Sequence, residues 1–90
     1  MLARWHLIIR GRVQGIGYRW FVREKAAELE LTGWVSNRPD GTVEAEAEGD
    51  TEALALLSER LKTGHPYARV ESIEATTLKA QGGDGLFDIR

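Results

Sequence analysis

Gly11-Arg12-Val13-Gln14-Gly15-Ile16-Gly17-Tyr18-Arg19 joins two unlike kinds of sequence, and its reading decides the fold. Before it, Arg4 to Arg10 alternates: Trp5, Leu7 and Ile9 share one side and His6, Ile8 and Arg10 the other, as in a strand apolar enough on both faces to be central. After it, Tyr18, Val22, Ala26 and Leu29 recur at helical spacing while Arg23, Glu24, Glu28 and Glu30 point elsewhere, which predicts an amphipathic helix over Tyr18 to Leu31. The run is therefore a strand-to-helix junction. Its three glycines let backbone N–H groups converge without a Cβ in the way, and the helix start adds unpaired donors and a partial positive charge. Such a junction suits an anion. Arg19 in the first helical turn opposes the helix dipole at a cost of roughly 0.3–1 kcal/mol, so stability alone would favour Asp or Glu there. A guanidinium fork at that place matches two phosphate oxygens, and phosphate is the expected anion.

Working outward, Gly33 is expected to break the helix, and Trp34 to Arg38 reads as a second strand. Pro39-Asp40-Gly41 is a turn in which Pro presets φ and Gly accepts a positive one. Beyond it Val43, Ala45 and Ala47 alternate with Glu44, Glu46 and Glu48, which predicts a hairpin strand with one packed face and a solvated row of glutamates. Asp50 is an N-cap followed by Glu52, the stripe Leu54, Leu57 and Leu61 marks a second helix, and Lys62, Gly64 and Pro66 are its stop signals. Val70 to Leu78 is β-prone with imperfect alternation, and Gly82-Gly83-Asp84-Gly85 reads as a flexible turn before a short last strand around Leu86, Phe87 and Ile89. This order, βαββαβ plus a short last strand, predicts an α+β fold: a ferredoxin-like α/β sandwich, an antiparallel sheet with two helices on one face, in a single domain over residues 1–90. If the first two strands are parallel members of a right-handed crossover, their C-terminal ends share one rim of the sheet. The polar groups expected there are the loop amides, Arg19, Asn37 and Arg38.

Composition narrows the function. Ninety residues with 42% apolar and 29% charged side chains fit one small soluble core. The chain has no Cys, which excludes disulfides, thiolate catalysis and Cys-based zinc sites and fits the cytoplasm. No apolar run is long enough for a bilayer, and Arg4 interrupts any signal-like stretch at the start, so no membrane partner is expected. A net charge of −2 supplies no field to gather a polyanion.

At the residues just quoted the chain resembles the acylphosphatases, small enzymes that hydrolyse carboxyl–phosphate anhydrides. The resemblance covers nearly the whole chain. It rests on the Gly11 to Arg19 run, on Gly33-Trp34-Val35-Ser36-Asn37 with Asp40-Gly41-Thr42-Val43-Glu44, on Glu48-Gly49, and on Phe87-Asp88-Ile89-Arg90. It implies that Arg19 binds phosphate and that Asn37 positions the attacking water. On this reading the N–H groups of Gln14, Gly15, Ile16, Gly17 and Tyr18 join Arg19 around the phosphoryl oxygens. It further implies an acyl phosphate substrate and inorganic phosphate as product. Inorganic phosphate is also expected to inhibit competitively, because the same donors accept any tetrahedral oxyanion. The sequence shows no metal-ligand cluster, so no metal and no cofactor are expected, and a monomer is expected. A carboxylate leaves without a strong general acid, so alignment and charge stabilisation suffice for the chemistry.

Other readings of the same residues are weaker. Trp5, Trp20 and Trp34 suggest a base-stacking platform, yet Trp5 falls on the packed parity, Trp34 opens a strand, and the third strand offers glutamates where an RNA-reading sheet needs basic residues. No nucleic acid is expected. His6 and His65 lie too far apart in sequence and setting to imply a metal site, and neither Ser36 nor Ser58 has a His in a nucleophile arrangement. A phosphate-binding module without turnover is the remaining rival, and it has no need of Asn37.

Overall fold

Alternation in the Val43 segment and periodicity around Leu54 become strand and helix as their patterns require. The computed structural model, which describes residues 1–82 and 85–90, runs β1 (Leu2–Arg12), α1 (Tyr18–Glu28), β2 (Thr32–Asn37), β3 (Val43–Asp50), α2 (Thr51–Thr63), β4 (Arg69–Leu78) and β5 (Phe87–Ile89). The sheet order is β4-β1-β3-β2-β5. β3 lies antiparallel between β1 and β2, so those two strands are parallel and α1 is the crossover of a split βαβ unit. Their C-terminal ends share a rim.

One face of the sheet carries Leu7, Ile9, Val35, Val43, Ala45 and Ala47, all buried beneath Tyr18, Val22 and Ala26 of α1 and Leu54, Leu57 and Leu61 of α2. Both helices therefore cover the same face, as a ferredoxin-like sandwich requires. Tyr18 crosses between them: its hydroxyl donates to the Leu61 carbonyl at 2.8 Å, and burial raises its phenol pKa well above the ordinary value. Asp50 caps α2 by accepting from the Glu52 N–H, and its carboxyl pKa is lowered chiefly by that bond.

Four expectations change. α1 stops at Glu28 rather than Leu31, because Glu30 turns left-handed at φ 58° and the N–H groups of Glu30 and Leu31 bond back to Ala27 and Ala26. Gly33 does not break the helix. It lies within β2 at φ 143°, where a Cβ would come within 1.9 Å of the Glu46 carbonyl oxygen. The glutamate row of β3 is not simply solvated: Arg4 Nε donates to Glu46 at 2.8 Å, His6 Nε2 meets Glu44 at 2.7 Å, and Glu48 is only 3% exposed. Glu48 is covered because the chain leaving β4 folds over it, with the Gln81 and Gly82 N–H groups donating at 2.6 and 2.8 Å and Arg4 Nη1 at 3.4 Å. Finally, β5 enters beside β2 in parallel and makes the sheet mixed. The turn expected at Gly82 to Gly85 includes Gly83 and Asp84, which lie outside the described residues.

Candidate active site

Gly11 and Arg12 belong to β1, so the strand-to-helix loop is shorter than the quoted run and spans Val13 to Gly17. Gly11 serves the sheet instead: at a register shift against β4, with φ 132°, it lies where a Cβ would come within 2.0 Å of the Arg69 carbonyl oxygen. The other two glycines shape the loop. Gly15 and Gly17 take left-handed φ values of 78° and 75°, and nothing lies within 4 Å of where a Cβ would project. Gly17 is also the N-cap of α1, and no side chain caps that helix end or places an acid in its first turn. Among the described residues, no carbonyl or side chain accepts from the N–H groups of Gln14 through Trp20. A left-handed turn running into an uncapped helix start aims a set of free donors outward, the arrangement of an anion nest.

Two side chains tie this loop to the rest of the rim. Gln14 Nε2 donates to the carbonyls of Arg38 and Thr42, both at 2.8 Å, which straps the loop to the β2–β3 turn. Arg19 Nη1 donates to the Arg90 carbonyl at 2.8 Å, and the Arg90 N–H donates in turn to Val35 of β2 at 2.8 Å. The two tethers thus reach β2 on either side of Asn37. Arg38 points back into its own turn, with Nη2 3.8 Å from Asp40. That turn is rigidly bonded: Asp40 Oδ1 accepts from the Thr42 hydroxyl at 2.6 Å and the Thr42 N–H at 3.0 Å, and these bonds, led by the hydroxyl, lower its carboxyl pKa below the ordinary 3.8.

Asn37 ends β2 in register with Val43, which pairs on its other side with Ile9, so its side chain joins the last helix-facing row at the rim. Asn37 is half-buried at this rim, and its Oδ1, which is buried, accepts no hydrogen bond among the described residues. The free loop donors, Arg19 and Asn37 are therefore gathered at one end of the sheet. The strap role of the Gln14 side chain had no signal in the sequence, since its partners are backbone carbonyls more than twenty residues away. No helix is long and apolar enough to cross a membrane among the described residues.

The acylphosphatase family model matches residues 5–89. The chain is 41% identical to the acylphosphatase of Bacillus subtilis over 98% of its own length and 97% of that protein's. It is 54% identical to the acylphosphatase of Thermus thermophilus over 88% of this chain and 90% of that one. The crystal structure of acylphosphatase from Bacillus subtilis superimposes with a TM-score of 0.92 at 42% identity, covering 100% of this chain and 99% of that chain.

Proposed function

The chain belongs to the acylphosphatase family, and from that premise we propose that it hydrolyses acyl phosphates by water attack in the Val13 to Gly17 loop. The observation that carries this reading is the meeting of unlike partners at one rim: a nest of unused N–H donors with Arg19 beside it, and Asn37 with an unpaired buried acceptor. The nest and the guanidinium are donors only and select an anion. The carboxamide oxygen is an acceptor and selects a group with hydrogens to give, which in this reaction is water. One partner is thus suited to hold the phosphoryl group and the other to hold its attacker.

In the proposed reaction the N–H groups of Gln14, Gly15, Ile16, Gly17 and Tyr18 hold the phosphoryl oxygens together with Arg19. Water oriented by Asn37 forms a new O–P bond as the P–O bond to the acyl group breaks. The electron pair leaves with the carboxylate, which needs no proton at neutral pH. A carboxamide is not a base at this pH, so the proton of the attacking water passes to a phosphoryl oxygen or to solvent. The donor set is amide N–H and guanidinium, which attracts anions and repels cations, and this supports turnover without a resident metal ion. Inorganic phosphate presents the same tetrahedral oxygens and is proposed to compete with substrate.

The test is steady-state hydrolysis of acetyl phosphate and benzoyl phosphate before and after exhaustive chelation. Release of carboxylate and phosphate at unchanged rate is expected. Activity lost to chelation and restored by a divalent ion would overturn the metal-free mechanism, and phosphate binding with no turnover would make the protein a binding module.

A further inference from the structure

One helical turn beyond Arg19, on the same side of α1, stands Arg23. A like-charged pair at this spacing weakens a helix, and among the described residues no carboxylate pairs with Arg23. Other cations nearby do find one: Lys25 and Arg60 both lie 3.5 Å from Glu28. The contact Arg23 does make is with an aromatic ring, its guanidinium lying 5.3 Å from the centroid of Trp20, which is 64% exposed. Helix stability explains neither an unpaired Arg at this position nor a bare Trp beside it. Ligand recognition explains both. A guanidinium stacked on a ring is held in orientation while the N–H groups around its edge stay free for an anion.

The two side chains border a groove of about 850 Å³ whose apolar lining includes Leu31, Phe87 and Ile89. A groove of that size is roomy enough for a small acyl chain. The groove runs along α1 and β5, and its last lining residue on β5, Ile89, precedes Arg90, whose carbonyl accepts from Arg19. Glu30 and Asp88 also line it, and neither pairs with Arg23.

We propose that Trp20 and Arg23 form the subsite for the acyl portion of the substrate, and that it favours acyl phosphates carrying a second anionic group at the end remote from the scissile bond. This rests on the acyl phosphate hydrolase reading. With the phosphoryl group at Arg19, residues four apart on a helix place the second guanidinium within reach of a substrate only a few bonds long: their Cβ atoms are about 6 Å apart. The apolar wall takes the intervening methylenes, and Arg23 takes the distal charge.

The test compares three compounds at low ionic strength: acetyl phosphate, the mono-phosphate anhydride of butanedioic acid, and the terminal methyl ester of that anhydride. A chain of net charge −2 should by itself slightly disfavour the extra negative charge, so a preference for the free carboxylate is diagnostic. The expected kcat/KM ratio of free acid to ester is about tenfold, the worth of one charge-assisted hydrogen bond. The ratio should fall towards one in Arg23→Gln and shrink in Trp20→Ala, chiefly through KM, at unchanged thermal midpoint. A wild-type ratio of one, or a ratio that Arg23→Gln leaves intact, would overturn the subsite while leaving the hydrolase reading in place. Failure to turn over all three compounds, acetyl phosphate included, would remove the hydrolase reading and the subsite with it.

Discussion

Asn37 and Arg19 show how differently two residues at one rim are expected to respond to replacement. The Asn37 carboxamide oxygen accepts from no protein donor among the described residues. Asn37→Ala therefore breaks no protein hydrogen bond at that oxygen, and the thermal midpoint should hold. The kcat for acetyl phosphate should nevertheless fall by about 10² or more, with the inhibition constant of inorganic phosphate little changed, because water alignment is realised only in the transition state. Wild-type turnover in the folded variant would return Asn37 to a structural role. Arg19 is proposed to bind ground state and transition state alike. Arg19→Lys keeps the charge but loses the bidentate fork, so steady-state kinetics should show KM raised and kcat lowered together. Both residues were named from the sequence. The burial of Asn37 Oδ1 was not legible there, since the cover of a single side-chain atom at the end of a strand is set by tertiary packing.

Among the elements, the β2–β3 turn matters more to the site than its surface position suggests, since the Arg38 and Thr42 carbonyls hold Gln14 and through it the loop. Asp40 braces that turn, and its folded pKa lies below its unfolded one. By linkage, its contribution is fully present above the unfolded value near 3.8 and is lost as the pH falls through the lower folded value. Asp40→Asn keeps an acceptor for Thr42 and removes only the titration. The midpoint difference between wild type and variant should therefore be constant through neutral pH and shrink below pH of about 4, as acid titration of thermal unfolding would record. A difference independent of pH down to 2 would show that Asp40 braces the turn without its charge. The turn itself was readable from Pro39-Asp40-Gly41 because its cause is local. The end of α1 was not, since Leu31 fits the helical period and only the left-handed step at Glu30 takes it out of the helix.

For the molecule as a whole, phosphate in the nest should act as a ligand of the folded state alone and raise the thermal midpoint in proportion to the logarithm of its concentration. Scanning calorimetry should record the rise at constant ionic strength, and Arg19→Ala should abolish most of it. An equal rise in the variant would assign the effect to general salt stabilisation. The sequence by itself determined the order of elements, the identity of the core stripes and the strand-to-helix junction, because periods of two and 3.6, caps and turn residues act over a few positions. It also carried the family resemblance that pointed to Arg19 and Asn37. Tertiary structure decided what depends on distant partners. It drew Gly11 out of the strand-to-helix loop and into a close approach with β4, and it laid the chain beyond β4 over Glu48. It turned Gln14 into a strap across the rim, and it set the Arg23–Trp20 pair of α1, itself a local i,i+3 contact, along a groove with β5. The first three are contacts between segments that no local pattern relates, and only the stacking of strands and loops in the folded sheet brings them within bonding distance.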